Sequence, residues 1–362
     1  MKNRIKIVVI GLRFGEYIVN AQILGDPGSG AIELVGVFDL DVSKSAKIAQ
    51  QCGVRQYHTL EEVLDDATVE AIGLFTPPNG RAELIRRIIR AGKHVMTTKP
   101  FEANPAEALT VLEEARALGM VVHMNSPEPL PDQETAQIIA WQNEFNLGQP
   151  IAARWETYTA SKEMADGSWY DDAKLCPVAP IFRLGIYGIN QLTCVFGAVN
   201  AVAVAHSQIF TGRPTADNAE LSLQFKNGAL GSVFASFCID DGQRYGNQFN
   251  LHYANGSIHT EVLGCAKNYD VLKHRLCLRV VDDKNGLITR SVELSTEALP
   301  GKYQWENFRV AVLNEEPLAG TIQPQQIAHG LQIIQAMRQA EATGSRVEIH
   351  PISTQQKAES SV

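Results

Sequence analysis

Residues 91–100, AGKHVMTTKP, read together with 69–79, VEAIGLFTPPN, decide how this chain folds. Residues 69–75 are an apolar run closed by Thr76, Pro77 and Pro78, the pattern of a buried strand that opens into a loop at its carboxyl end. Residues 81–91, RAELIRRIIRA, then place Leu84, Ile85, Ile88 and Ile89 at helical spacing, and Gly92 stands where a left-handed C-terminal cap belongs. A second short strand covers 94–97, with Lys99 and Pro100 at its carboxyl end. Ligands of an open parallel sheet bind in the crevice outside those carboxyl ends, so both loops are expected to line one site.

Outward from that core the alternation continues. Residues 5–10 (IKIVVI) read as a buried strand ending at Gly11, and 32–38 (IELVGVF) as a second ending at Asp39, with a helix and a Gly-rich turn over 25–30 between them. Ser43 is expected to cap a helix over 44–52 that stops at Gly53, and Thr59 with Glu62 forms a capping box for the next. Asn104 and Pro105 open a helix that runs to Leu118 and Gly119, and 120–123 supply a further strand. Strands alternating with helices make residues 1–126 a doubly wound parallel sheet. From Pro127 the pattern changes: a proline-stiffened crossing, a helix over 133–145, and strand-like runs at 151–157, 199–206, 219–225, 229–237, 247–253, 276–281 and 288–294. With further helices at 187–196 and 323–343, residues 127–350 read as an α+β domain on a largely antiparallel open sheet, followed by a polar tail over 351–362.

Composition narrows the function classes. A chain of 362 residues, 45% hydrophobic and 20% charged, is long enough for two sizeable cores, and a net charge of −8 excludes nucleic acid and anionic membranes as main partners. Six cysteines lie scattered without a CxxC pair, the usage of buried free thiols in a reducing cytoplasm, and no histidine pair has ligand spacing, so no metal is expected. The apolar run at 5–10 is too short for a membrane span or a signal segment.

The turn Gly11-Leu12-Arg13-Phe14-Gly15-Glu16 joins a strand to a helix, where free N–H groups and the positive dipole end favour a dinucleotide pyrophosphate. Only its first glycine matches G-x-G-x-x-G, with Arg13 at the second position. Asp39 closes the second strand, placed to accept from a ribose 2′-hydroxyl and to repel a 2′-phosphate, and Leu40 behind it brings no cation. The expected cofactor is therefore NAD, with NADP less favoured.

Gly11 to Gly15, Asp39, Thr76-Pro77-Pro78-Asn79, Ala91-Gly92-Lys93-His94-Val95 and Lys99-Pro100 stand in the order and spacing of the Gfo/Idh/MocA oxidoreductases, which this chain resembles. Leu184-Gly185-Ile186-Tyr187-Gly188-Ile189-Asn190, Phe225-Lys226-Asn227-Gly228-Ala229 and the helix closing at Thr343-Gly344 extend the likeness over nearly the whole chain. The resemblance implies an N-terminal Rossmann domain and nicotinamide-dependent oxidation of a sugar, cyclitol or sugar acid. It also implies a homodimer or homotetramer packed through the second domain's sheet. The family lysine falls on Lys99 and its acid/base on Tyr187, the two implied catalytic groups. Implied cofactor contacts are Gly11, Arg13, Phe14, Gly15, Asp39, Thr76, Pro77, Asn79 and Lys99; implied substrate contacts are Lys99, Trp169, Arg183 and Asn190. Read without the family, Lys99 is a loop lysine, Tyr187 a buried aromatic, and Arg81 either a helix-surface charge or a site residue.

Three positions depart from the family pattern. Arg13 replaces a glycine, Thr98 a glutamate and Arg183 an aspartate, which points to a substrate with a negative charge of its own. Arg183 is expected to grip that charge, with Asp171 or Asp172 as the alternative partner. An NAD-retaining lyase or glycosidase and a non-catalytic dinucleotide sensor are the other functions the pattern admits.

Overall fold

A computed structural model describes residues 3–161, 163–242, 245–265, 271–282, 284, 286–297, 301–314 and 322–352. The chain divides into two compact units: Met1–Leu130 with Lys302–Ala328, and Pro131–Gly301 with His329–Val362. Most of the expected polar tail, residues 353–362, lies outside the described residues.

Unit 1 alternates β1 (Ile5–Ile10), α1 (Leu12–Tyr17), α2 (Asp26–Ser29), β2 (Ile32–Phe38), α3 (Val42–Cys52), β3 (Arg55–Gln56), α4 (Leu60–Asp65), β4 (Ala71–Leu74), α5 (Arg81–Arg90), β5 (His94–Thr97), α6 (Pro105–Ala117) and β6 (Val122–Met124). The six strands stand in the order β3-β2-β1-β4-β5-β6 and every pairing is parallel, as the alternation requires. The order reverses between β1 and β4, and the ligand crevice of such a sheet opens at that point. Local chemistry differs from expectation in places. Asp41, not Ser43, caps α3, because its carboxylate accepts the Lys44 N–H at 3.0 Å from two residues further upstream. Thr59 does accept the Glu62 N–H at 3.1 Å, but the Glu62 carboxylate returns to the N–H of His58 rather than that of Thr59. Past Tyr17 the first helix continues as a π-helix, Ile18–Ile23, and the expected Gly-rich turn contains the single turn of α2.

Unit 2 contains α7 (Gln133–Glu144), β7 (Pro150–Tyr158), α8 (Ile186–Phe196), β8 (Val199–Ser207), β9 (Asn218–Phe225), β10 (Leu230–Ser236), β11 (Gly246–Tyr253), β12 (Gly256–Cys265), β13 (Val271–Asp282) and β14 (Gly286–Glu297). Its sheet runs β14-β13-β12-β11-β7-β10-β9-β8-β15, where β15 is Val347–Glu348, and is antiparallel except between β7 and β10. Strand β12 went unread in the sequence because His259 and Glu261 break its apolar run, leaving Ile258 as its fully buried anchor. A π-helical turn, Ile181–Gly185, leads into α8.

Two helices follow, α9 (Trp305–Val312) and α10 (Pro324–Thr343). Helix α9 was also unread, and it belongs to unit 1, whereas the sequence pattern assigned residues 302–328 to the second domain. The reason is apolar burial: Tyr303, Trp305 and Phe308 join Ile7, Val9, Val37 and Phe75 in one core cluster. Cys52, Cys176, Cys194, Cys238 and Cys277 are in no disulfide; of these five only Cys176 is buried and Cys194 is exposed, correcting the expectation of buried thiols. Among the described residues no helix is long and apolar enough to cross a membrane.

Trp305 is 1% exposed, and its indole N–H is buried without a partner. Trp305→Ala should therefore lower stability by about 3–5 kcal/mol, and Trp305→Phe by clearly less, since it also removes the unpaired donor. Urea unfolding of the two variants checks the order; equal losses would contradict it.

Candidate functional site

The carboxyl ends of β1, β2, β4 and β5 carry the cofactor residues read from the sequence. Gly11 leaves β1 at φ 85°, and a side chain there would bring its first carbon to 2.9 Å from the backbone carbonyl of Phe75, so the turn can close only on glycine. Gly15 has a different duty: its Cβ would lie 3.0 Å from Val9, which sets how near α1 packs to β1. Asp39 follows β2 and reaches across the turn, its carboxylate accepting from the N–H groups of Leu12 at 2.5 Å and Asp41 at 2.8 Å. Ionised carboxylate oxygens keep further lone pairs, so these bonds orient Asp39 and still leave acceptors for ribose hydroxyls. Arg13 and Phe14 lie exposed on the first turn of α1, with Phe14 edge-on to Phe75. In the loop after β4, Pro77 and Asn79 are exposed, while the Thr76 hydroxyl oxygen is buried with no hydrogen-bond partner. A glycine cradle, an oriented carboxylate and an unpaired hydroxyl at one sheet edge fit a dinucleotide.

Lys99 is half-buried in the loop after β5. Its N–H donates to the Asn125 side chain at 3.0 Å, and the Thr98 hydroxyl approaches the same oxygen at 3.2 Å. Thr98, which stands where the family has glutamate, thus spends its hydroxyl on this loop. Arg81, read as ambiguous, is buried rather than a surface charge.

In unit 2, Tyr187 is buried on the first turn of α8. Asn190, one turn on, is buried with its side-chain oxygen against α10, where a Cβ on Gly330 would come within 2.5 Å of it. Trp169 is half-buried and packs on Tyr170, with ring centroids 4.2 Å apart. Arg183 differs from expectation. Its two terminal nitrogens each bond a Glu163 carboxylate oxygen at 2.8 Å, and its guanidinium lies 4.0 Å over the Tyr170 ring and 4.5 Å over Phe237. The fork expected for a substrate acid is therefore filled by a protein acid, and neither Asp171 nor Asp172 supplies it. Asp171 instead meets Arg213 at 2.6 Å, and Arg213 also bonds Glu163 at 2.7 Å and Asp166 at 3.0 Å. Glu163 and Arg213 were missed in the sequence, where 20 and 30 residues separate them from Arg183 and no motif links them. Away from this network, His259, Glu261 and Cys277 bring potential ligand atoms within 4.8 Å of one another on β12 and β13.

Comparison with known proteins places the chain. The model of the oxidoreductase family with an NAD-binding Rossmann fold matches residues 5–126, and that of the GFO/IDH/MocA C-terminal domain matches 136–259. The chain belongs to the Gfo/Idh/MocA family. Within that family it is 28% identical over 158 residues to an uncharacterized oxidoreductase of Schizosaccharomyces pombe, covering 42% of each chain. It is 23% identical over 253 residues to the 1,5-anhydro-D-fructose reductase of Ensifer adhaerens, covering 68% of this chain and 74% of that one. The chain spans about half the length of the first curated relatives it matches, 42% and 56%. A levoglucosan dehydrogenase solved with NADH shares the fold, with a TM-score of 0.72 and 18% identity over 97% of this chain and 100% of that one.

Burial alone would raise the carboxyl pKa of Glu163, but the bonds from Arg183 and then Arg213 outweigh it and hold the group below the usual carboxylate range. A depressed folded-state pKa stabilises the fold above the unfolded value of about 4.3 and loses that contribution as pH falls through the folded one. Glu163→Gln should therefore lower Tm at pH 7, with the gap to the parent narrowing toward pH 3. A gap independent of pH would show that the charge is not what Glu163 contributes.

Proposed function

We propose that the chain is an NAD-dependent oxidoreductase that moves a hydride between nicotinamide and a carbinol carbon of a neutral sugar or cyclitol. The observation that carries this is Asp39, whose carboxylate is fixed at the end of β2 by the N–H of Leu12, the residue after the Gly11 turn. Gly11, Gly15 and the first turn of α1 would hold the pyrophosphate, Asp39 the adenosine ribose, and Thr76 a polar group of the cofactor. Bound nicotinamide supplies the hydride acceptor or donor. The chain would supply proton handling: the Lys99 ammonium would stabilise an alkoxide as it forms, and the Tyr187 oxygen would take the hydroxyl proton as phenolate or return it as phenol.

Relatives named as an anhydrofructose reductase and scyllo-inositol dehydrogenases support the sugar or cyclitol class. A neutral substrate is favoured because Glu163 already occupies both terminal nitrogens of Arg183. The surroundings we assign are the cytoplasm, and the assembly is a homo-oligomer through the sheet of unit 2, which exposes Leu230, Val281 and Leu287. Sedimentation that gives a monomer at micromolar concentration would refute that assembly.

Fluorescence titration should give tighter binding of NAD than of NADP, and Asp39→Ser should narrow the difference; equal affinities in the parent protein contradict the assignment. With a substrate found by screening polyols at the reduced-nicotinamide absorbance, Lys99→Met and Tyr187→Phe should each slow turnover by ~10²–10⁴ without loss of cofactor binding. Turnover of Lys99→Met near the parent rate would remove Lys99 from the mechanism.

A further inference from the structure

Arg81 is the first residue of α5, yet it is 1% exposed. Its guanidinium donates to four backbone carbonyls: Thr76 in the loop after β4, and Thr98, Pro100 and Phe101 in the loop after β5. A buried cation is costly unless it is hydrogen-bonded, and here the two terminal nitrogens of the planar guanidinium serve carbonyls in two loops at once. The second loop answers in kind. Glu102, 4% exposed, turns back to accept the N–H of Ala82 at 2.7 Å and of Gly80 at 3.3 Å at the start of α5, and in its own loop the N–H of Ala103 at 2.7 Å. Each segment thus sends one buried charged side chain into the backbone of the other.

Lys99 sits inside this arrangement. The carbonyls on either side of it, those of Thr98 and Pro100, are held by Arg81, and its own N–H is held by Asn125. We propose that Arg81 and Glu102 form a reciprocal clasp that sets the Thr76 loop and the Lys99 loop in the positions the dinucleotide needs. Both are positioning residues, acting through Thr76 and Lys99. The inference rests on the reading of the chain as an NAD-dependent enzyme.

The test compares the full-length parent with Arg81→Met, Arg81→Lys and Glu102→Gln, using calorimetric titration with NAD and amide hydrogen exchange. Arg81→Met should bind NAD at least tenfold more weakly. Lysine keeps the charge but brings one compact ammonium to carbonyls that a fork had shared, so Arg81→Lys should fold and show an intermediate loss. Glu102→Gln should weaken binding in the same direction. In each folded variant, amide exchange should rise about tenfold over 76–82 and 98–104 and stay at the parent rate in β1 and β2. If Arg81→Met fails to fold, Arg81→Lys decides. A folded Arg81→Lys with parental NAD affinity overturns the clasp as a positioning device, whatever its exchange. A parent that does not bind NAD overturns the functional reading, and the clasp with it.

Discussion

The backbone of Phe75 passes so close to Gly11 that position 11 admits no side chain, and much of unit 1 follows from that approach. Parallel strands β1 and β4 sit side by side although β2 and β3 lie between them in the chain, and the strand order reverses there. The gap between the departing chains is the crevice. Closing the turn tightly leaves the first N–H groups of α1 pointing outward, and the Asp39 carboxylate takes the one at Leu12, which ties the end of β2 to the same turn. Three strand ends are thereby registered against one another before any ligand arrives.

Buried guanidinium groups are handled in two ways. In unit 1, Arg81 is met by carbonyl dipoles of the loops it joins, while Arg309 bonds the Glu306 carboxylate on its own helix. In unit 2, Arg183 and Arg213 are met by carboxylates, Glu163 shared between them and Asp166 and Asp171 bonded to Arg213. The second arrangement also holds residues 163–171 near the π-helical turn that leads to Tyr187, and the aromatic faces of Tyr170 and Phe237 shield Arg183 from water. Charge in both units does the work of tying loops to regular elements.

Most of the sheet of unit 1 was legible because β1, β2 and β4 are largely apolar runs and several helices begin at a polar cap or stop at a glycine; β1, β2 and β5 came out with their ends correct, whereas the two-residue β3, Arg55–Gln56, carries no apolar signal. Strand β12 was hidden because one face of it is polar, and α9 because it is a short amphipathic piece between unpatterned segments. The expected cofactor positions could be named for a local reason: glycine and aspartate stand at fixed offsets from strand ends, and Gly11 and Asp39 do follow β1 and β2. The ion-pair network of Arg183 was not, since nothing in a sequence says which of several acids a given arginine will meet. Arg81 stayed ambiguous on the same ground, because the carbonyls that make its burial tolerable are contributed by residues that carry no recognisable side-chain signal.

Unit 1 is not contiguous in the chain. Tyr303, Trp305 and Phe308 complete a core whose other buried members lie between Ile5 and Met96 and leave the ribosome long before them. During synthesis the nascent Rossmann sheet therefore waits, with an apolar face uncovered, while the whole of Pro131–Gly301 is made. Domains ordinarily fold in the order they emerge, but this one can be finished only after the segment inserted into it has been translated, so the late-arriving aromatic helix acts as the lock on the first-born half of the protein.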